Sequence, residues 1–274
     1  MSLTRFQREV CRLLAADHIA RGERYVAGGA ALNEILHAPR VSHDVDLFHD
    51  TREAVALSWD TDRKTLLNAG LDVETIREFP TFIEAEITHA GNGVVLQWVQ
   101  DSAFRFFPLV EHPDFGLALH PFDLATNKVL ALVGRAEVRD WVDIIHCHQN
   151  LQPFGYLVWA TCGKDPGLSP PFILEQASRS AHYSKQEIDT LAYDGDAPDI
   201  GELSRTWRDM LSGATHIIGN LPEDQIGNCV LDQSGNLFKG SPEMLLKALE
   251  KQDVYFHEGS ICGAWPRMVP SPTP

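Results

Sequence analysis

The sequence lacks the features that mark membrane proteins, secreted proteins and indiscriminate nucleic-acid binders. No apolar stretch approaches the length of about 20 residues that a membrane-spanning helix needs, and residues 1–6 lack the apolar core of a secretory signal. Basic residues are few, since 23 Lys and Arg stand against 38 Asp and Glu and give a formal net charge of −15. We therefore expect a cytoplasmic protein with no membrane partner, in which any basic surface for phosphate is local.

Cysteine is also scarce and scattered. The five cysteines form no Cys-x-x-Cys pair, which argues against a zinc framework or a redox motif. In a reducing cytosol we expect thiols that are mostly buried. With 274 residues, of which 44% are apolar and 22% charged, the chain has an ordinary globular composition and the length for one large domain or two smaller ones.

Two segments near the N-terminus carry the residues that point to chemistry. Their sequences are Tyr25-Val26-Ala27-Gly28-Gly29-Ala30 and Arg40-Val41-Ser42-His43-Asp44-Val45-Asp46-Leu47-Phe48. In a strand, residues two apart share a face, so Asp44 and Asp46 are expected to point the same way. Paired carboxylates suit Mg²⁺, and a glycine pair lets backbone N–H groups approach an anion at a helix start. The pattern predicts a cradle for a nucleoside triphosphate and its metal.

A second group of charged residues follows on two predicted helices. Lys128 and Arg135 are seven residues apart on the first helix, so they are expected to project from nearly one face. Asp140 and Asp143 are three apart at the start of the next helix and are therefore neighbours. Taken singly, each of these residues is typical of a solvated helix surface.

The Gly-Gly and Asp-x-Asp pattern resembles the DNA polymerase β-like nucleotidyltransferase superfamily. More narrowly, the two N-terminal segments resemble the AbiEii/AbiGii toxin family, which carries Asp, Lys, Arg and then Arg-Asp-x-x-Asp downstream of its metal strand. The residues of this chain that match the downstream pattern are Asp123, Lys128, Arg135, Arg139, Asp140 and Asp143. The resemblance covers roughly residues 25–145.

The resemblance implies a nucleotidyltransferase that uses Mg²⁺ and takes a nucleoside triphosphate as substrate. It implies that Asp44 and Asp46 hold the metal and that Lys128 contacts phosphate. The residues implied in nucleotide binding are Gly28, Gly29, Arg40, Ser42, Lys128 and Arg135. The supporting residues implied are Asp123, Arg139, Asp140 and Asp143, of which the last two either orient the neighbouring basic residues or complete the charge pattern of the site.

One position departs from the superfamily, whose members usually carry a third carboxylate on a neighbouring strand. In this chain Gln97 occupies the central polar position of that strand and cannot act as a base. Asp101 is the favoured substitute, with Glu84 or Glu86 as alternatives on the partner strand. This departure bears on whether the site can run two-metal catalysis.

The resemblance implies a toxin that transfers a nucleotide to RNA, such as a tRNA end, or to a protein, and that has a cognate antitoxin. Two alternatives stay open. One is transfer to a small hydroxylated molecule. The other is a catalytically impaired nucleotide-binding domain.

Periodicity and turn signals predict the elements. Helices are predicted over residues 4–20, 30–36, 52–69, 121–135, 156–161, 171–182, 184–191 and 200–212, and from residue 139. Strands are predicted over residues 25–27, 44–48, 71–76, 81–88 and 94–101, followed by a loop-rich crossing over residues 101–120. The expected fold class is α/β (α+β), with a small mixed sheet in a polymerase β-like core and a helical C-terminal domain. The predicted domains are the core (1–115), the helical domain (116–212) and an extension (213–274) with a short hairpin over residues 229–238 and a disordered end at residues 271–274.

Overall fold

The structure is a computed structural model of the chain and describes residues 3–18, 24–179 and 183–266. Its contacts divide the chain into two compact units. The first comprises Met1–Ala103, Leu109–Leu124 and Leu191–Asp196, and the second comprises Phe104–Pro108, Ala125–Thr190 and Ala197–Pro274. The domain boundaries predicted from the sequence stay a prediction. The predicted disordered end, residues 19–20 of the first predicted helix and residues 180–182 of the helix predicted over 171–182 lie outside the described residues.

The residues that the structure describes form the following helices and strands. The helices are α1 (Arg5–His18), α2 (Gly28–Ile35), α3 (Arg52–Asn68), α4 (Pro121–Arg135), α5 (Val138–Asn150), α6 (Phe154–Thr161), α7 (Pro170–Arg179), α8 (Lys185–Asp189), α9 (Ile200–Asn220) and α10 (Pro242–Glu250). The strands are β1 (Tyr25–Ala27), β2 (Arg40–Val41), β3 (Asp44–His49), β4 (Asp72–Phe79), β5 (Phe82–His89), β6 (Asn92–Gln100), β7 (Phe104–Arg105), β8 (Val110–His112), β9 (Gly116–Ala118), β10 (Ala192–Tyr193), β11 (Cys229–Asp232), β12 (Val254–His257) and β13 (Ser260–Ile261).

The first unit is built on a seven-stranded mixed sheet with the order β4-β5-β6-β3-β1-β9-β8. Strand β3 is parallel to β6 and antiparallel to β1, and β1 is parallel to β9. The hairpin β5–β6 and the edge strand β4 extend the sheet in antiparallel fashion. The predicted mixed α/β architecture is confirmed.

One face of this sheet is buried by helices because its strands alternate apolar and polar residues. On β6, Leu96 and Trp98 are fully buried, whereas Gln97 between them is only partly buried. Helices α1 and α3 pack against β6. On the buried side of α3, the carboxylate of Asp62 accepts hydrogen bonds from Arg24 and Trp98, at 2.6 and 2.7 Å. The positive charge of Arg24 thereby compensates the buried negative charge of Asp62. The polar residues are left on the opposite, open face.

The sheet is larger than predicted, because residues 101–120, predicted as a loop-rich crossing, contribute two short strands to it. Strands β8 and β9 lie within this segment, and β9 pairs with β1. Strands of three residues are too short to show an alternating period in the sequence.

The predicted hairpin over residues 229–238 is present, but the sequence did not predict the second partner of its first strand. The ladder partner of β11 is β12, and residues 232–236 form a turn in which the Asp232 carboxylate accepts from the backbone N–H groups of Ser234 and Asn236. The predicted pairing is present as the bridge between Leu231 and Leu237, flanked by the hydrogen bonds from Asp232 N–H to Asn236 O at 2.8 Å and from Phe238 N–H to Val230 O at 3.0 Å.

The second unit is largely helical. Helix α6 packs tightly against α9, because a Cβ on Gly155 would lie only 2.8 Å from Ile217 Cβ, and a glycine is therefore needed for the approach. Around this contact lies a buried apolar cluster formed by Tyr156, Trp159, Ile217, Leu221, Val230 and Leu245. A search of the described helices finds none with the length and apolar character to cross a membrane.

Candidate nucleotide and metal site

Asp44 and Asp46 lie on the same face of β3. Burial alternates along this strand, with Val45 and Leu47 in the core and the two aspartates partly exposed between them. The period of two that strand geometry imposes therefore places both carboxylates on the open face of the sheet. This is the arrangement expected from the Asp-x-Asp spacing.

The carboxylate of Asp44 is oriented by a residue that lies just before strand β3. The Ser42 hydroxyl donates to Asp44 Oδ1 at 3.1 Å. The backbone carbonyl of Ser42 in turn accepts from Gln7 Nε2 at 2.8 Å, and Gln7 is almost fully buried. This chain of hydrogen bonds fixes one metal-ligand candidate to helix α1.

The role of Gln7 was not predicted from the sequence, although a helix-capping pattern pointed to this residue. Thr4 and Gln7 have the spacing of a capping box. In the structure the Gln7 side chain accepts from the Thr4 N–H at 2.7 Å and the Thr4 hydroxyl accepts from the Gln7 N–H at 3.1 Å. The cap therefore fixes the side chain that supports Ser42.

Gly28 lies directly against the carboxylate of Asp46. Strand pairing sets Ala27 opposite Asp46, and Gly28 follows with a φ of +68°. A Cβ at this position would lie 2.6 Å from Asp46 Cγ and would overlap Oδ2. Only glycine accommodates both this backbone conformation and this approach. The glycine pair and the aspartate pair, separated in sequence, thus meet in one place.

Helix α2 begins at this glycine. Its N-cap residue is Ala27, whose side chain cannot accept a hydrogen bond from the first turn. The N-terminus of a helix carries partial positive charge and N–H groups that suit an anion. The first turn of α2, next to Asp46, therefore offers donors of the kind that hold phosphate.

Arg40, predicted to bind nucleotide, is buried on strand β2. Its exposed fraction is 4%, and β2 pairs with β10 so that Arg40 lies opposite Tyr193. Arg40 Nη1 lies 3.5 Å from the carbonyl of Val41. Its contact with phosphate stays a prediction.

A row of polar side chains crosses the open face beside Asp46. Asp46 is in register with Gln97 on β6, which is in register with Glu84 on β5. Gln97 Nε2 donates to Glu84 Oε1 at 2.9 Å, and Arg77 Nε on β4 lies 3.2 Å from Glu84 Oε2. An amide, and not a carboxylate, is therefore the immediate neighbour of Asp46.

The strand register argues against Asp101 as the third carboxylate. Asp101 lies beyond the end of β6, where its N–H donates to the carbonyl of His49 at 3.0 Å. It is four residues from Gln97, or about 13 Å along a strand, which is too far for a metal shared with Asp46. Of the alternatives, Glu84 is one strand beyond Gln97, and Glu86 lies level with Asp44, beyond Val95.

The second predicted group of charges forms a buried ion-pair cluster in the second unit. Lys128 Nζ lies 2.9 Å from both Asp140 Oδ1 and Asp143 Oδ2. Arg135 also binds Asp140 through Nε at 2.8 Å and Nη2 at 3.0 Å. Asp140 and Asp143 therefore orient Lys128 and Arg135, one of the two roles expected for them. The phosphate contact of Lys128 stays a prediction.

Asp140 is held in its ionised form. Burial alone would raise the pKa of Asp140, but the hydrogen bond from Arg135 and the charge of Lys128 together outweigh it and hold the pKa below its ordinary value. Arg139 pairs with Glu137 at 2.6 Å. Asp123 is fully buried in the first turn of α4, in the part of that helix that belongs to the first unit.

The donor set on β3 fits a hard divalent cation. Within the ranges that the structure describes, no three His, Cys, Asp or Glu side chains are grouped to hold a metal by themselves. Mg²⁺ does not need such a cage, since it keeps several waters and is bound through one or two carboxylates plus substrate phosphates. Two co-facing carboxylates, one of which lies against the backbone of Gly28, meet that requirement.

Comparison with known proteins finds similarity in fold but not in sequence. No protein-family model and no curated protein sequence matches the chain. Among solved structures, JHP933 from Helicobacter pylori matches with a TM-score of 0.51 and 12% identity over 80% of this chain and 95% of that one. MenT4, a nucleotidyltransferase toxin from Mycobacterium tuberculosis, matches with a TM-score of 0.49 and 16% identity over 80% of this chain and 87% of that one. The chain therefore has the fold of JHP933.

Proposed function

We propose that this protein is a Mg²⁺-dependent nucleotidyltransferase of the AbiEii toxin type, which moves a nucleotide from a nucleoside triphosphate to an RNA or protein acceptor. The observation that carries the proposal is the meeting of Asp44, Asp46 and Gly28 on the open face of the sheet. The residue matches to the toxin family and the nucleotidyltransferase toxin among the structural neighbours support it.

In this proposal Asp44 and Asp46 hold the metal, which when bound neutralises charge on the phosphates. Ser42 fixes the orientation of Asp44. The missing Cβ of Gly28 lets the Asp46 carboxylate lie against the start of α2, and the first turn of α2 donates to phosphate oxygens. Catalysis of this type needs positioning and charge stabilisation more than covalent chemistry, so these groups suffice for much of the rate.

A second candidate is transfer to a small cationic hydroxylated acceptor. Glu74, Glu86 and Asp44 lie level on the open face, separated only by Val95 of β6, and both glutamates are exposed. An acidic approach favours a cation and repels RNA phosphates. The formal net charge of −15 points in the same direction.

The test is to incubate the purified protein with each α-labelled ribonucleoside triphosphate, Mg²⁺ and total RNA. Label in RNA or in protein supports the toxin proposal. Label in a small product when polyamines or aminoglycosides are added supports the second candidate. Label in none of these, together with retained nucleotide binding, identifies a binding domain without transfer activity.

A toxin role makes a separate prediction in cells. Induced expression is expected to stop bacterial growth, and Asp46→Asn is expected to relieve the arrest at equal protein level. Growth arrest that persists in the variant would contradict a toxic activity at this site. Co-expression of a cognate antitoxin is expected to restore growth.

A further inference from the structure

Gln97 is the amide that stands where a carboxylate was expected, and its orientation is fixed by its neighbours. Three strands place Asp46, Gln97 and Glu84 at one level on the open face. Gln97 is partly buried, while Glu84 is 9% exposed. Neighbouring strands are about 4.8 Å apart, so both side chains that flank Gln97 are within its reach.

The chemistry of Glu84 decides which end of the amide faces it. An ionised carboxylate can only accept hydrogen bonds, and the other oxygen of Glu84 forms an ion pair with Arg77 at 3.2 Å. The Gln97 atom 2.9 Å from Glu84 Oε1 is therefore the nitrogen. The carbonyl oxygen is then on the side away from Glu84, and the residues that the structure describes offer it no hydrogen-bond partner.

We propose that this oxygen, Gln97 Oε1, is the third protein ligand of the Mg²⁺ held by Asp44 and Asp46, and that Glu84 is the positioning residue that turns it toward them. The inference rests on the proposed function and specifies its metal site. Amide carbonyl oxygens are hard donors that bind divalent cations of this class. Hydrogen bonds from outside the ligand shell commonly orient such ligands, as Glu84 does here.

This assignment has a consequence for how the metal binds. A neutral third ligand leaves the site with two negative charges instead of three, which lowers its affinity for a bare cation. The metal is then retained mainly together with the triphosphate, whose oxygens supply the missing negative charge. The site binds one metal through three protein oxygens and has no carboxylate beside Asp46 to serve as a base.

Mn²⁺ binding measured by electron paramagnetic resonance tests the assignment without any turnover. Mn²⁺ is titrated alone and with nonhydrolysable analogues of the four ribonucleoside triphosphates. Gln97→Leu is expected to weaken Mn²⁺ binding about tenfold or more. Its control is Gln100→Leu, the same change at an exposed position of the same strand, which is expected to leave the affinity unchanged.

A charge exchange keeps the hydrogen bond and tests the positioning role. Glu84→Gln alone lets the amide turn and is expected to lower Mn²⁺ affinity. Combined with Gln97→Glu, the hydrogen bond reverses and a charged oxygen replaces the neutral one, so affinity is expected to exceed that of the unmodified protein by about tenfold. A purely structural link between β5 and β6 would not predict this gain. The control for Glu84→Gln is Glu78→Gln, an exposed glutamate on β4.

The proposal is overturned if Gln97→Leu lowers the melting temperature but leaves Mn²⁺ affinity unchanged, or if the double variant gains no affinity. These results leave the proposed function standing as long as Asp46→Asn abolishes binding. If the unmodified protein binds no Mn²⁺ even with nucleotide, the metal-dependent function fails, and this inference fails with it.

Discussion

Replacing Gly28 with alanine tests two structural requirements at this position, the left-handed backbone conformation and the close approach of Asp46. The φ of +68° is a left-handed conformation, which costs a residue with a Cβ about 1–2 kcal/mol. The new Cβ would also lie 2.6 Å from Asp46 Cγ, whereas carbon atoms pack at about 3.5 Å or more. The carboxylate must therefore move by about 1 Å, a displacement that can cost about a hundredfold in rate.

Gly70 provides the matched control. Its φ is +79°, and a Cβ there would meet nothing within 4 Å. Gly70→Ala therefore carries the backbone cost alone. We expect both variants to lose about 1–2 kcal/mol of unfolding free energy in urea from the backbone, and only Gly28→Ala to lose nucleotide transfer by about a hundredfold. Equal transfer rates in the two variants would refute the close approach of Gly28 and Asp46.

Three further predictions follow from the same contacts. Ser42→Ala removes the donor to Asp44 and is expected to weaken Mn²⁺ binding by about 0.5–1.5 kcal/mol in a calorimetric titration, with unchanged melting temperature; unaltered binding would show that Asp44 does not need this hydrogen bond. Lys128→Met removes the cation that lies 2.9 Å from both buried carboxylates, Asp140 and Asp143, and is expected to cost about 3–5 kcal/mol in urea unfolding. A loss under about 1 kcal/mol would mean that the cluster is solvated. Because the folded-state pKa of Asp140 is lowered, the stabilisation that Asp140 contributes is present above about pH 4 and is lost as pH falls further. The difference in unfolding free energy between the unmodified protein and Asp140→Asn is therefore expected to shrink below about pH 4. A constant difference would contradict the pairing.

The core of the site was predictable because strand geometry leaves little freedom. Once residues 44–48 are read as a strand, Asp44 and Asp46 must share a face. The proximity of Gly28 to Asp46 was expected from the resemblance, and the antiparallel pairing of β1 with β3 explains it. The mixed sheet was predicted from the order of strands and helices along the chain.

Long-range contacts account for what the sequence could not predict. The register of β5 and β6 against β3 decides that Glu84 and Gln97, and not Asp101, lie level with Asp46. The support of Ser42 by Gln7 joins residues 35 apart in sequence. The pairing of Val41 with Ala192 joins still more distant parts of the chain. No local period or turn signal carries such information.

Nucleotide transfer by Asp46→Asn tests the central claim most directly. The unmodified protein, Asp46→Asn and the exposed control Asp60→Asn are compared with the same labelled triphosphate, Mg²⁺ and acceptor, after circular dichroism has shown equal folding. The account predicts transfer by the unmodified protein and the control and none by Asp46→Asn. Transfer by Asp46→Asn at the unmodified rate would contradict it.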